Sequence, residues 1–184
     1  MKTLIMKLVK RFYVIYFSGF SIKDEVDLFT KYIDDGEYCV SGFSFGAQKA
    51  FEYVYNSDER IEKLILLSPS FFQDKKSSFV RTQLKHFVSE KETYIKQFLL
   101  NVAYPSTIDL ERYLSVGTKE DLEALLRYEW KEHKIKALLD RGVHIEVFLG
   151  AKDKIIDAQA ALSFFSTLTT SYYFKDAGHL LQNT

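Results

Sequence analysis

The sequence predicts an α/β protein, with about five parallel strands flanked by helices and a helical insertion. Three observations predict it. Short β-branched and aromatic runs alternate with segments of helical period, the period changes at Ser44, and the strand signal is lost between about residues 71 and 136 before it returns. A chain of 184 residues that is 47% apolar can build one core with an appended cap, but not two ordinary catalytic domains. The expected organisation is a core of residues 1–70 and 137–184 interrupted by a helical cap of residues 71–136.

The first element, Phe12-Tyr13-Val14-Ile15-Tyr16-Phe17, stops at Ser18-Gly19 and reads as a central strand buried on both faces, as parallel sheets require. Ser21 with Asp24 suggests a capping box. Ile22, Val26, Phe29 and Ile33 then fall on one helical face before Asp35-Gly36. Glu37–Phe43 is the second strand, and Ala47, Ala50, Phe51 and Val54 take up helical spacing after Ser44. Leu64–Leu67 is a third strand, ended by Ser68-Pro69 because proline lacks a ladder donor. Helical patterns then run from Phe79 to Ala103, from Ile108 to Leu114 and from Thr118 to Leu139. The strand rhythm resumes with Val143–Leu149, a helix near Ala158–Leu168 and a strand near Ser171–Phe174.

Gly42-Phe43-Ser44-Phe45-Gly46 stands where strand period gives way to helix period. That is the context a nucleophile elbow needs, because its serine sits on a strained turn and its glycines avoid Cβ clashes. A serine hydroxyl is a poor nucleophile at neutral pH, so a base and an orienting carboxylate are required, in the chain order Ser, acid, His. Asp153, in Gly150-Ala151-Lys152-Asp153, and His179, in Asp176-Ala177-Gly178-His179, each follow a predicted strand. Asp157 competes as the acid, but it precedes a helix start and reads as an N-cap. Asp176 is close to His179 in sequence and reads as a solvated turn residue. His86, His133 and His144 read as surface or boundary histidines. The oxyanion needs two backbone donors, and we assign the N–H groups of Phe45 and Phe20, although Ser18-Gly19 also reads as a simple turn.

Composition excludes other classes. Twenty-five basic residues balance twenty-five acidic ones, so no overall charge points to nucleic acid or a membrane surface. The single cysteine, Cys39, cannot form an internal disulfide. The apolar runs near the amino terminus are too short for a signal peptide or a membrane span, so cytoplasmic residence is expected. No metal-ligand spacing or phosphate-binding glycine motif is found, and no cofactor is expected.

With elbow, acid and histidine placed, the chain resembles the α/β-hydrolases that free pimeloyl-ACP from its methyl ester, and most closely the short BioV-type esterases. The likeness runs through Phe17-Ser18-Gly19-Phe20, Val40 to Ala47, Leu64 to Pro69, Phe148-Leu149-Gly150, Asp153 to Asp157 and Gly178-His179, nearly the full length. It implies a reduced α/β-hydrolase fold, without the strand and helix that usually precede the elbow strand and without a covering helix after His179. It also implies hydrolysis of pimeloyl-ACP methyl ester to pimeloyl-ACP and methanol in biotin biosynthesis, by Ser44, His179 and Asp153. The implied partner, an acyl carrier protein, is acidic. Between Lys75 and Lys96, the basic residues Lys75, Lys76, Arg81, Lys85, Lys91 and Lys96 outnumber Glu90 and Glu92, a patch suited to steering such a partner. Lys75, Lys76, Arg81 and Lys85 are the carrier-binding candidates. A solvated helix face is the alternative reading.

Two rival functions share the scaffold. One is a general carboxylesterase or acyl thioesterase, which differs only in its pocket. The other is a hydrolase-like module that binds an acyl chain or a protein without turnover. Phe79, Phe87, Phe98, Leu122 and Trp130 are candidate channel residues or cap core.

Overall fold

The computed structural model describes residues 15–33, 36 and 38–183. Phe12–Val14, Asp35 and Glu37, which the sequence reading assigns to element ends, lie outside them. The apolar runs read from the sequence become β1 (Ile15–Phe17), β2 (Cys39–Phe43), β3 (Lys63–Leu67), β4 (His144–Gly150) and β5 (Thr170–Phe174), all parallel and paired in chain order. The register places Phe17 beside Gly42, Gly42 beside Leu66, Leu67 beside Phe148 and Gly150 beside Phe174. The carboxyl ends of the strands therefore share one side of the sheet, where α/β proteins form sites.

Side chains alternate across the sheet. On one face Val40, Leu64, Leu66, Ile145, Val147 and Leu149 pack under α1 (Phe45–Asn56), α5 (Glu132–Asp140) and α6 (Ala158–Phe165). The other face, with Cys39, Phe43, Ile65, Leu67 and Phe148, is covered by Phe29, by Val102 and Ala103, and by Leu180 and Leu181. β2 is buried throughout. β1 differs from expectation. Among the described residues it pairs only with β2, lies at the sheet edge and is half-buried.

The segment after β1 also departs from its helical pattern. Only Glu25–Phe29 is helical, as a 3₁₀ turn, and Ser21 and Asp24 take left-handed conformations with no capping box. A tertiary partner wins this competition. Ile22 pairs antiparallel with Leu114, Ser115 N–H donates to Ser21 O, Lys23 N–H donates to Tyr113 O, and the Ser21 hydroxyl accepts from Gly117 N–H.

Two long helical patterns in the insertion are each broken. The first becomes α2 (Ser77–Ser89) and α3 (Lys91–Ala103), separated at Glu90. The second becomes α4 (Lys119–Arg127), with Thr118 and Asp121 forming its capping box, and α5. The second break falls around Trp130. Its backbone N–H goes to Gln73 Oε1 and its indole N–H to Ser70 O, so its ring is buried in the core. No helix among the described residues is long and apolar enough to cross a membrane.

Glu52 on α1 joins the core to the segment around α5. Its carboxylate accepts from the Tyr128 hydroxyl at 2.7 Å and from Lys134 Nζ at 2.8 Å. Burial pushes the Glu52 carboxyl up, but hydrogen bonds from Lys134, Tyr128 and Asn56 and the lysine charge outweigh burial and hold it below the ordinary value. A carboxylate lowered in the folded state adds stability that is present above its unfolded pKa, roughly 4.3, and is lost as pH falls through the folded value. Glu52→Gln is expected to lower stability by about 1 kcal/mol at pH 7. The gap from the parent protein should close below about pH 4, read from urea midpoints across that range.

Candidate active site

β2 ends in the turn Gly42–Gly46, and Ser44 sits there at φ 55° and ψ −114°, strained by about 1–3 kcal/mol for a residue with a Cβ. Hydrogen bonds hold it. Ser44 N–H donates to Leu67 O, and Ser44 O accepts from Ala47 N–H and Ser70 N–H. The two motif glycines are required by contact distance. A Cβ on Gly42 would stand 2.2 Å from Gly46 O, and one on Gly46 would stand 1.9 Å from Phe17 O.

The structure brings Ser44, His179 and Asp153 together. His179 Nδ1–H donates to Asp153 Oδ2 at 2.6 Å, which leaves Nε2 to accept from the Ser44 hydroxyl at 2.9 Å. The side chains of His179 and Asp153 are fully buried. Asp153 is fixed from its other side, because Oδ1 accepts the N–H groups of Ile155 and Ile156. Asp157 caps α6 through Gln159 and Ala160 N–H, and Asp176 pairs with Lys152 at the surface.

The segment that carries His179 is tied down. Ser68 Oγ donates to His179 O at 2.7 Å, and the Phe43 ring lies 5.0 Å from the imidazole. Leu180 and Leu181 insert into the second core face, Tyr32 OH donates to Leu181 O, and Gln182 donates to Leu28 O. Burial of these two leucines is worth about 1.5–3 kcal/mol each. The loop after β1, misread as an amphipathic helix, is the surface that receives them.

Phe45 begins α1 directly after Ser44, and Phe20 follows β1 and lines the same cavity as Ser44. Neither backbone N–H makes a hydrogen bond among the described residues, so both remain able to donate to a ligand. Sequence reasoning missed what stands behind Phe20. Glu25 is completely buried, and its Oε1 accepts both Gly19 N–H and Tyr16 OH at 2.9 Å. Burial, and then the Glu25 charge, push the Tyr16 phenol far up, so it stays a donor. Glu25→Ala is expected to strand both donors and cost about 2–4 kcal/mol, measured by denaturant unfolding. Glu25 lies within a segment that the sequence reads as helical, where it carries no signal of this contact.

Ser70 was also missed. Its hydroxyl lies 3.0 Å from Ser44 Oγ, and Ser70 O accepts from Gln48 and Trp130. The clue available in sequence was position, since Ser70 follows the strand beside the elbow strand, but position says nothing about where a hydroxyl points.

A cavity of about 420 Å³ opens at Ser44. Phe20, Phe79, Phe98, Leu122 and Leu126 give it an apolar wall, while Gln83, His86, Gln97 and Asn101 of α2 and α3, Glu90 between those helices, and Lys154 add polar and charged groups. Of the candidate channel residues, Phe79, Phe98 and Leu122 line the cavity, while Phe87 and Trp130 are buried in the core. His86, read as a surface or boundary histidine, is exposed and also lines the cavity. Tyr94, on the same wall, is pushed up to about 12 by burial and donates to Gln83. Among the basic candidates, Lys76, Arg81 and Lys85 are exposed on or beside α2, the last two a turn apart. Lys75 is paired with Asp74 at 2.6 Å, so its charge is offset by an acid just outside the basic stretch.

No protein-family model matches the chain, and no curated protein matches it by sequence. Solved structures do match. An esterase from Exiguobacterium antarcticum superposes with a TM-score of 0.63 at 17% identity over 77% of this chain, which spans 59% of that esterase. Naproxen esterase (carboxylesterase NP) from Bacillus subtilis gives 0.60 at 13% identity, over 91% of this chain and 77% of the other. BioG from Haemophilus influenzae gives 0.58 at 11% identity, over 91% and 88%. At such identities the likeness is one of fold. Five parallel strands in chain order, helices on the sheet, and a serine, acid and histidine after β2, β4 and β5 make this a reduced α/β-hydrolase fold.

Proposed function

We propose that the protein is a serine carboxylesterase that hydrolyses pimeloyl-ACP methyl ester to pimeloyl-ACP and methanol. The observation that carries the hydrolase reading is the chain of hydrogen bonds from Ser44, which lines the cavity, through His179 to Asp153. The substrate rests on the sequence resemblance to the pimeloyl-ACP methyl ester esterases. The apolar walls suit an acyl chain, and the exposed Lys76, Arg81 and Lys85 suit an acidic carrier.

In this reading Ser44 Oγ attacks the ester carbonyl as His179 Nε2 takes its proton, and the Phe45 and Phe20 N–H groups hold the oxyanion. Each such donor is worth about 10²–10³ in rate. The Asp153 carboxylate stabilises the imidazolium, which then protonates departing methanol. Water, activated by the same histidine, releases the acyl group. A general carboxylesterase is the second reading, favoured by the structural likeness to the Exiguobacterium antarcticum and naproxen esterases.

The test is methanol release from pimeloyl-ACP methyl ester, compared with thioester cleavage of the same acyl-ACP and with a small methyl ester. The proposal expects the carrier-bound methyl ester to be preferred and its kcat/KM to fall as salt rises. Faster thioester cleavage overturns it. Equal rates on free and carrier-bound esters leave the general esterase.

A further inference from the structure

We infer that Ser70 is a catalytic hydrogen-bond donor to Ser44 Oγ that speeds release of the acyl group, the second half of the reaction. The inference rests on the serine-hydrolase reading of Ser44. Three observations lead to it. Ser70 is completely buried, its hydroxyl lies 3.0 Å from Ser44 Oγ, and that is its one side-chain hydrogen bond among the described residues. Its backbone is clamped: the N–H donates to Ser44 O, and the carbonyl accepts from Gln48 Nε2 and Trp130 Nε1. The hydroxyl is therefore aimed at the nucleophile by bonds that do not involve it.

The direction of the bond follows from counting protons. Asp153 accepts from His179 Nδ1–H, so Nε2 accepts the single Ser44 proton. The contact between the two serines is then left for the Ser70 proton, and Ser70 donates.

A donor on Ser44 Oγ acts unequally on the two halves of the reaction. Before acylation it already bonds the free Ser44 hydroxyl, so it stabilises the ground state along with the transition state and changes that step little. The ester oxygen of the acyl-enzyme is a poor acceptor, so before deacylation the ground state gains little from it. During deacylation, water adds to the acyl carbon, His179 takes its proton, and the tetrahedral intermediate collapses. The bond from the acyl carbon to Ser44 Oγ breaks, and its electron pair moves to Oγ. That oxygen takes the proton from His179 Nε2, and the carboxylic acid leaves. The Ser70 O–H stabilises the charge that builds on Oγ and keeps its own proton throughout.

The test uses the whole chain and p-nitrophenyl butyrate, whose nitrophenolate reports acylation at once. Ser70→Ala is expected to lower kcat by about tenfold and KM in proportion, with a nitrophenolate burst approaching one per active site. Labelling by a fluorophosphonate, which needs attack but no release, should keep its rate. Ser70→Cys, with a weaker donor, should fall between the parent protein and Ser70→Ala. A kcat that falls with KM unchanged and no burst, or a loss of labelling rate equal to the loss of kcat, overturns the inference and makes Ser70 a packing residue. If the parent protein itself is neither labelled nor active, the serine-hydrolase reading fails instead.

Discussion

Ser44→Ala is expected to lower ester hydrolysis by about 10⁴-fold or more and to abolish fluorophosphonate labelling, with the fold retained. The size follows from the role. No other hydroxyl is both 2.9 Å from His179 Nε2 and seated on the turn between β2 and α1 among the described residues. Ser70, 3.0 Å away, is the nearest substitute, but its path to the base runs through the Ser44 oxygen that the substitution removes. The fold should survive because Ser44 is held by its backbone N–H and carbonyl, which alanine keeps. The Ser70 hydroxyl loses its partner at a cost of about 1–3 kcal/mol, which lowers stability without removing any of the packed apolar core. Unchanged turnover in a folded Ser44→Ala protein would remove the elbow from the mechanism, whereas a folded parent protein with neither turnover nor labelling would favour a binding module.

Asp153→Asn should be nearly as damaging, by about 10³–10⁴ in kcat, and the geometry says why. Oδ1 accepts two backbone N–H groups, from Ile155 and Ile156. An asparagine must present its carbonyl oxygen to them, so its NH₂ faces His179 Nδ1. The imidazole is then driven to the tautomer with its proton on Nε2, facing Ser44, and can no longer accept the serine proton. Asp157→Asn is the control. Asparagine caps helices as well as aspartate, so activity and stability should stay within about 0.5 kcal/mol of the parent. If the two variants exchange these outcomes, the acid is Asp157.

The legible part of the site was its chain order. Gly42 to Gly46 joins two periods, and Asp153 and His179 each follow a strand whose apolar run is plain in the sequence. Local signals of this kind survive because a strand interior and a helix face are set by side chains near one another in sequence. The support of the site was not legible. Ile22, Val26, Phe29 and Ile33 keep a helical period, but the segment pairs with Leu114 and Tyr113 instead, across about ninety residues of chain. Helix propensity of a few tenths of a kcal/mol per residue cannot outweigh buried backbone hydrogen bonds and packed side chains.

By itself the sequence determined the parallel α/β class, the turn that carries Ser44, and the order of acid and histidine, because each depends on spacing within one segment. Only the tertiary structure decided that β1 is an edge strand, that Leu180 and Leu181 anchor His179, that Glu25 grips the loop before Phe20, and that Ser70 faces Ser44. Three of these depend on segments far apart in the chain, and the Glu25 contact, six residues from Gly19, depends on how its loop is folded against the sheet. Their energy comes from burying apolar surface and satisfying polar groups across the fold, which no local pattern records.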